Sequence, residues 1–253
     1  MSYVIASPSM QDPYFGNSVV CLCSYDTKGA FGFVLNKPIP LTIAELLQQL
    51  PEVKEWHAEQ NSSLSLKETL EKRMFLLQPI RFGGPVNVEC GFIMFEAPEN
   101  MEVKSYDNQP SDDTSNDSAQ VEPNILYLYH LDALWKIHPA TEQNIQQEIQ
   151  QEETKTSTNS SQTKEKEILI LPAKGNITSL LAHNIPFKIF LGYSGWGEQQ
   201  LTTEVERGSW LFAHQTDFTL QELFMVPIEN QYDLALSSLG IQKEFLVMKP
   251  IEA

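Results

Sequence analysis

The stretch FKIFLGYSGWGEQQL, residues 187–201, changes its local signal twice within fifteen positions. Phe187, Ile189 and Leu191 alternate with their neighbours, the period-two spacing of a strand with one face toward a core. Gly192, Gly195 and Gly197 follow closely, so GYSGWG reads as a tight backbone turn where glycine permits positive φ or close packing. Beyond it, GEQQLTTEVERG sets Leu201 and Val205 four apart and stops at Gly208, as a short helix with an inward stripe does. Trp196 stands inside the turn. The reading favoured here is that it fills the space between the turn and that helix. The other is that it walls a groove shared with Gly83 and Gly84.

Working outward, the same mixture of strand and helix recurs. SVVCLC and AFGFVLN flank the turn residues Asp26-Thr27-Lys28-Gly29, which predicts a hairpin. Thr42 and Glu45 match a capping box ahead of a helix whose stripe is Ile43, Leu46, Leu47 and Leu50, with Pro51 as its stop. Thr219 and Glu222 repeat the box, and Tyr232, Ala235, Leu236 and Leu239 repeat the stripe up to Gly240. In ILYLYHL, residues 125–131, both alternating sets are largely apolar, which predicts an interior strand carrying His130 as a core histidine. Strands and helices are mixed without strict alternation, so the fold class expected is α+β. Residues 99–122 and 141–167 are polar and poor in large apolar groups. They are read as surface insertions that interrupt one domain spanning 1–253, the first disordered and the second opening as a short helix around Ile145 and Ile149.

Composition narrows the function classes. The chain has 253 residues, 42% of them hydrophobic, and a formal net charge of −16. Its only arginines are Arg73, Arg81 and Arg207, and no run of Lys or Arg is present. Such a chain repels a phosphate backbone at long range, so direct nucleic-acid binding is not expected. Three cysteines, an odd count without framework spacing, argue against a secreted disulfide scaffold. The opening MSYVIASPSM lacks a basic region followed by an apolar one, and no apolar run approaches the roughly 20 residues that span a bilayer. A cytoplasmic protein without membrane association is expected.

Five segments, in this order and spacing, resemble the YqgE/AlgH family: ASPSMQDPYFGNSVVCLC at 6–23, GAFGFVLNKP at 29–38, FGGPV at 82–86, GFIMFEAP at 91–98 and LGYSGWGEQQL at 191–201; the tail ENQYDLALSSLGI at 229–241 also fits. The resemblance covers the chain apart from the insertions and the last dozen residues. It implies a single α+β domain with a strongly curved, mostly antiparallel sheet flanked by helices, in a bacterial cytosolic protein. One family member is described as a regulator of polysaccharide gene expression, and the resemblance brings no catalytic residue and no cofactor with it. Two positions depart from the family pattern. Cys23-Ser24-Tyr25 stands where Cys-Glu-His is usual, and Trp196-Gly197-Glu198-Gln199-Gln200-Leu201-Thr202 stands where Trp-x-x-Gly-Gln-Leu-Glu is usual. A site built on that His or that final Glu does not transfer.

The reactive residue types form no catalytic pattern. Cys21 and Cys23 share a strand face, but a zinc site needs about four ligands and no Cys-His cluster follows, so both are read as small buried hydrophobes. The five histidines show no ligand spacing, and no metal or cofactor is expected. Ser194 is followed by Gly195 and then Trp196, which breaks the register of a nucleophile elbow. FGGPV has no GK[ST] and reads as a turn, and Asn36 reads as bonding its own backbone two residues on. The candidate ligand surface is therefore drawn from the glycine-rich turns: Asn36, Pro38, Gly83, Gly84, Tyr193 and Trp196. The function expected is a non-enzymatic binding or regulatory protein acting through a protein partner or a small ligand. The alternatives are an enzyme with a pocket at the same turns and a regulator that binds DNA directly. Random duplex DNA titrated in a fluorescence-anisotropy assay at physiological salt should show no saturation below about 10⁻⁴ M, the weak limit of non-specific binding. Submicromolar binding with a steep salt slope would overturn the electrostatic reading.

Overall fold

Local chemistry accounts for the first elements. In the computed structural model, which describes residues 1–98, 101–105, 125–128, 135–137 and 168–241, the chain opens with β1 (Ser2–Ala6) and the hairpin of β2 (Val19–Asp26) and β3 (Gly29–Val34). Asp26 pairs with Gly29 across the turn, and the Asp26 carboxylate accepts the Lys28 backbone N–H at 2.7 Å. β4 (Pro38–Thr42) leads into α1 (Ile43–Leu47), where both halves of the Thr42/Glu45 capping box are made. Ile43, Ala44 and Leu47 are buried, and the helix ends at Leu47. Pro51 does not stop this helix but starts the next, α2 (Pro51–Glu59). Its missing N–H is no loss in a first turn, and its fixed φ suits one. α3 (Leu66–Glu71) is capped by the same reciprocal chemistry from Ser65 and Glu68.

The remaining elements are β5 (Pro79–Phe82), β6 (Val86–Glu96), β7 (Glu102–Ser105), β8 (Ile125–Leu128), β9 (Trp135–Ile137), β10 (Ile168–Pro172), α4 (Ile177–Ala182), β11 (Phe187–Trp196), α5 (Gln200–Glu206), β12 (Trp210–His214), α6 (Leu220–Met225) and α7 (Gln231–Ser238). The main sheet runs β12-β1-β2-β3-β11-β6-β10-β9, with β5 also paired to β11 and β4 paired to β5. Its pairs are antiparallel except β5 with β11. This is the α+β architecture with a mostly antiparallel sheet flanked by helices. Two expectations change. Ile125–Leu128 lies in a separate two-stranded parallel ribbon with β7 instead of inside the main sheet, because its pairing partner is the nearby Glu102–Ser105. That partner falls within the stretch read as a disordered insertion. The rest of 99–122 apart from Met101–Ser105, all of 141–167 with Ile145 and Ile149, and His130 lie outside the described residues.

β10, β6 and the first half of β11 feed two cores by simple alternation. Phe92, Met94, Ile168, Ile170 and Phe190 join the first, with Tyr3, Phe33, Trp196, Trp210 and Tyr232. Ile93, Phe95, Leu169, Leu171 and Ile189 join the second, under α1 to α4. Ion pairs contribute little: among the described residues the two salt bridges, Lys67–Glu71 and Lys104–Glu102, are solvent-exposed. No helix among them is long and apolar enough to cross a membrane.

β11 is the seam. Its N-terminal half pairs with β6 and β5, and Ser194–Trp196 pairs with β3. The glycines there do not form the expected turn. The strand runs through them, with a register shift between Leu191 and Tyr193 and Gly192 at φ +67°. The Gly83-Gly84 link between β5 and β6 lies directly against this bulge. The Gly83 N–H donates to the Leu191 carbonyl, and the Gly83 carbonyl accepts from the Val34 N–H, each at 2.8 Å. The Ser194 hydroxyl donates to the same Gly83 carbonyl at 3.1 Å. A Cβ on Gly84, which sits at φ +152°, would stand 2.2 Å from the Tyr193 carbonyl carbon. Gly84→Ala should therefore lower unfolding free energy by more than about 4 kcal/mol, the exceptional range reached when backbone itself obstructs. Gly197→Ala, whose nearest neighbour is the flexible Gln200 amide at 3.8 Å, should change it by less than about 1 kcal/mol. Equal urea midpoints for the two variants would refute the close-approach argument.

Candidate functional site

Most of the residues picked from the glycine-rich turns are committed internally. Asn36 is buried and clasps the 17–19 backbone: its Oδ1 accepts the Val19 N–H and its Nδ2 donates to the Asn17 carbonyl, each at 2.8 Å. It closes the β1–β2 connection and does not bond its own backbone as expected, because β2 brings those groups closer than the local turn does. Gly83 and Gly84 are buried against β11. Pro38 is exposed at the start of β4, opposite Arg81. Tyr193 is half-buried, with its ring 4.8 Å from that of Phe31.

Trp196 is 6% exposed, edge-on to Trp210 at 5.7 Å and stacked on Phe15 at 6.0 Å. Its indole N–H and that of Trp210 both donate to Glu204 Oε2, at 3.1 and 2.8 Å. Gln200 donates to Oε1 at 2.9 Å. Glu204 is thus the acceptor that lets two indoles be buried on one side of α5, and the sequence reading did not single it out. Cys21 is buried and its thiol is pushed up to about 12 by that burial, so it is no thiolate at neutral pH.

A concave site lies elsewhere, at the opposite end of β11. A cleft of about 480 Å³ opens between α6, the end of β6, the starts of β10 and β11 and the 3-10 turn Met74–Leu77. Its lining draws on both cores: Met94, Leu220 and Phe224 from one, Phe75, Phe95 and Phe187 from the other. The polar lining side chains are Gln78, Glu96, Lys188 and Gln221. Lys188 donates to Gln78 Oε1 at 2.7 Å, and its ammonium lies 4.3 Å from the Phe224 ring centroid. The Arg81 guanidinium, 3% exposed, lies 4.8 Å from the same centroid. Arg81 donates to the Leu35 carbonyl and, at 3.2 Å, to Gln231 Oε1. Burial pushes the Arg81 pKa down to about 10. Burial first, then the neighbouring Arg81 charge, pushes the Lys188 pKa down to about 8. Both remain cations at neutral pH, set in apolar surroundings against amide oxygens, a carbonyl and one aromatic face.

None of these cleft residues was among the sequence candidates. One signal was present: Lys188 interrupts the FKIFL strand on the face it shares with Phe190, which packs into the first core. The AlgH-like family model matches residues 3–244.

The chain belongs to the AlgH-like family. It is 28% identical to a UPF0301 protein of Paraburkholderia phymatum over 96% of this chain and 90% of the relative. It is 29% identical to the UPF0301 protein of Cupriavidus pinatubonensis over 94% and 87% respectively. The solution structure of the AlgH protein from Pseudomonas aeruginosa superposes with a TM-score of 0.52 at 20% identity, covering all of this chain and 94% of that one, a likeness of fold. Within this AlgH-like chain, Trp196→Ala should cost about 3–5 kcal/mol in urea melts, the usual range for truncating a buried Trp. Trp196→Phe should recover much of it, because Glu204 keeps its Trp210 and Gln200 donors. A loss under about 1 kcal/mol on Trp196→Ala would reject the packing role.

Proposed function

We propose that the protein is a non-enzymatic binding protein and that a small molecule held in the cleft beneath α6 is its ligand. The observation that carries this reading is the cleft itself. At about 480 Å³ it falls within the roughly 300–1,000 Å³ typical of small-molecule sites. Like them it combines a mainly apolar lining with a few convergent polar groups. An exposed apolar lining residue adds support: Met225, 77% exposed, lines the same cleft as Phe75, Phe95, Phe187 and Phe224. The lining chemistry favours holding over reacting, since among the described residues it is aliphatic and aromatic apart from two amides, one amine and one carboxylate. Three free thiols, Cys21, Cys23 and Cys90, support a cytoplasmic setting.

The cleft is tested with Nile red, a neutral apolar probe. Its fluorescence should rise and saturate at one equivalent of the full chain. Gln221 is an exposed lining residue, so Gln221→Trp should obstruct the opening without disturbing the core. Probe affinity should fall at least tenfold while the thermal melt stays in place. Undiminished Nile red binding by the Trp variant, or no saturable binding by the wild type, would overturn the reading.

A further inference from the structure

We propose that the ligand of this cleft is an amphipathic anion, with a carboxylate or phosphate headgroup seated at Lys188 and an apolar tail lying against Phe75, Phe187 and Phe224. This deepens the small-ligand reading above and rests on it.

The first argument is charge. Acidic residues outnumber basic ones 33 to 17 in this chain. Yet among the described residues no carboxylate lies within 4.0 Å of the Lys188 ammonium or the Arg81 guanidinium. The partners of both are neutral: Gln78, Gln231, the Leu35 carbonyl and the Phe224 ring. Two like charges facing one ring in a poorly solvated place repel each other, and dipoles compensate them only in part. An anion entering the cleft supplies the missing opposite charge. Arg81, fully enclosed, contributes at a distance; Lys188 lines the opening and supplies the contact.

The second argument is donor geometry. An ammonium carries three N–H donors, of which Gln78 Oε1 takes one. With its oxygen turned to Lys188, the Gln78 amide keeps an NH₂ group beside the same spot. An oxyanion placed there meets a charge-assisted donor and a neutral one. The third is the charged surroundings. Arg81 stands on β5 and Glu96 on β6, while the lining residues of α6 carry no charge. Glu96, the one lining carboxylate among the described residues, is exposed. Its single charge weakens the attraction of the two cations for an anionic headgroup without cancelling it. The fourth is the apolar wall, which a headgroup alone does not use.

Because the Lys188 pKa is held down to about 8, its charge is present at neutral pH and lost as pH rises through that value. Anion affinity follows the same direction, and a bound anion shifts the loss to higher pH.

Isothermal titration calorimetry on the full chain compares octanoate, octyl phosphate, 1-octanol and acetate. At pH 7 the wild type should bind octanoate or octyl phosphate at one site, about ten- to a hundred-fold more tightly than octanol, the contribution of a hydrogen bond to a charged group. The tighter of the two anions identifies the headgroup. Acetate should bind far more weakly than octanoate. The anion preference should shrink between pH 7 and pH 10. Lys188→Met should abolish it while leaving octanol affinity and the thermal melt in place, and Lys188→Arg should restore most of it. Octanol binding as tightly as the anions, or an anion preference that survives Lys188→Met, would overturn the anionic ligand and leave the small-ligand reading standing on Nile red. If no eight-carbon compound binds while Nile red does, this inference fails alone; if Nile red also fails, both fall.

Discussion

The contact on which the rest of the fold depends is backbone against backbone: Gly83 and Gly84 lying on the bulge of β11 around Gly192. Three strands meet there. The Gly83 N–H and carbonyl connect β11 to β3, Ser194 adds a third hydrogen bond to the same carbonyl, and β5 runs parallel to β11 immediately before the glycines. A side chain on either partner would force them apart, since the added Cβ atoms would sit 2.3 Å or less from backbone at both Gly83 and Gly84. Close approach lets one strand pair with β6 and β5 along its first half and with β3 along its second. The two sub-sheets are thereby joined into one, and the two cores lie along a continuous scaffold.

The cleft is a consequence of that joining. Where β11 begins, residues of alternating orientation belong to different cores, so a site at this end draws its walls from both. α6 covers one side and brings Phe224 over the cations of β5 and β11. Net charge describes the surface here and not the site. A chain of charge −16 carries a locally positive, poorly solvated point, because burial isolates Lys188 and Arg81 from the acidic groups that dominate the exterior.

Local features were legible in the sequence and for a physical reason: their partners lie within four residues. The capping boxes at Thr42/Glu45 and Thr219/Glu222, the Asp26–Gly29 turn and the stripe of α7 all formed where they were read. Errors arose where the deciding partner is remote. Pro51 is compatible with ending one helix or starting another, and the packing of Val53 and Trp56 selects the second. GYSGW is equally compatible with a turn or a bulged strand, and its pairing with β3 and β6 selects the strand. The candidate site failed to foretell the cleft for the same reason. Arg81 and Gln231 are 150 positions apart, and Lys188 meets Gln78 across 110.

By itself, then, the sequence determined the α+β mixture, the starts of its capped helices, the order of the FGGPV and LGYSGWGEQQL segments as a family signature, and the absence of a basic run for a phosphate backbone. Short-range hydrogen bonding, side-chain periodicity and total charge are properties of neighbouring residues or of simple sums, and a linear string contains both. Only the tertiary structure decided that Trp196 shares an acceptor with Trp210, that the glycines join two sub-sheets, and that Lys188 stands beside Arg81 in an apolar cleft. Each of these depends on which distant side chains exclude water from a given group, and desolvation is set by packing in three dimensions.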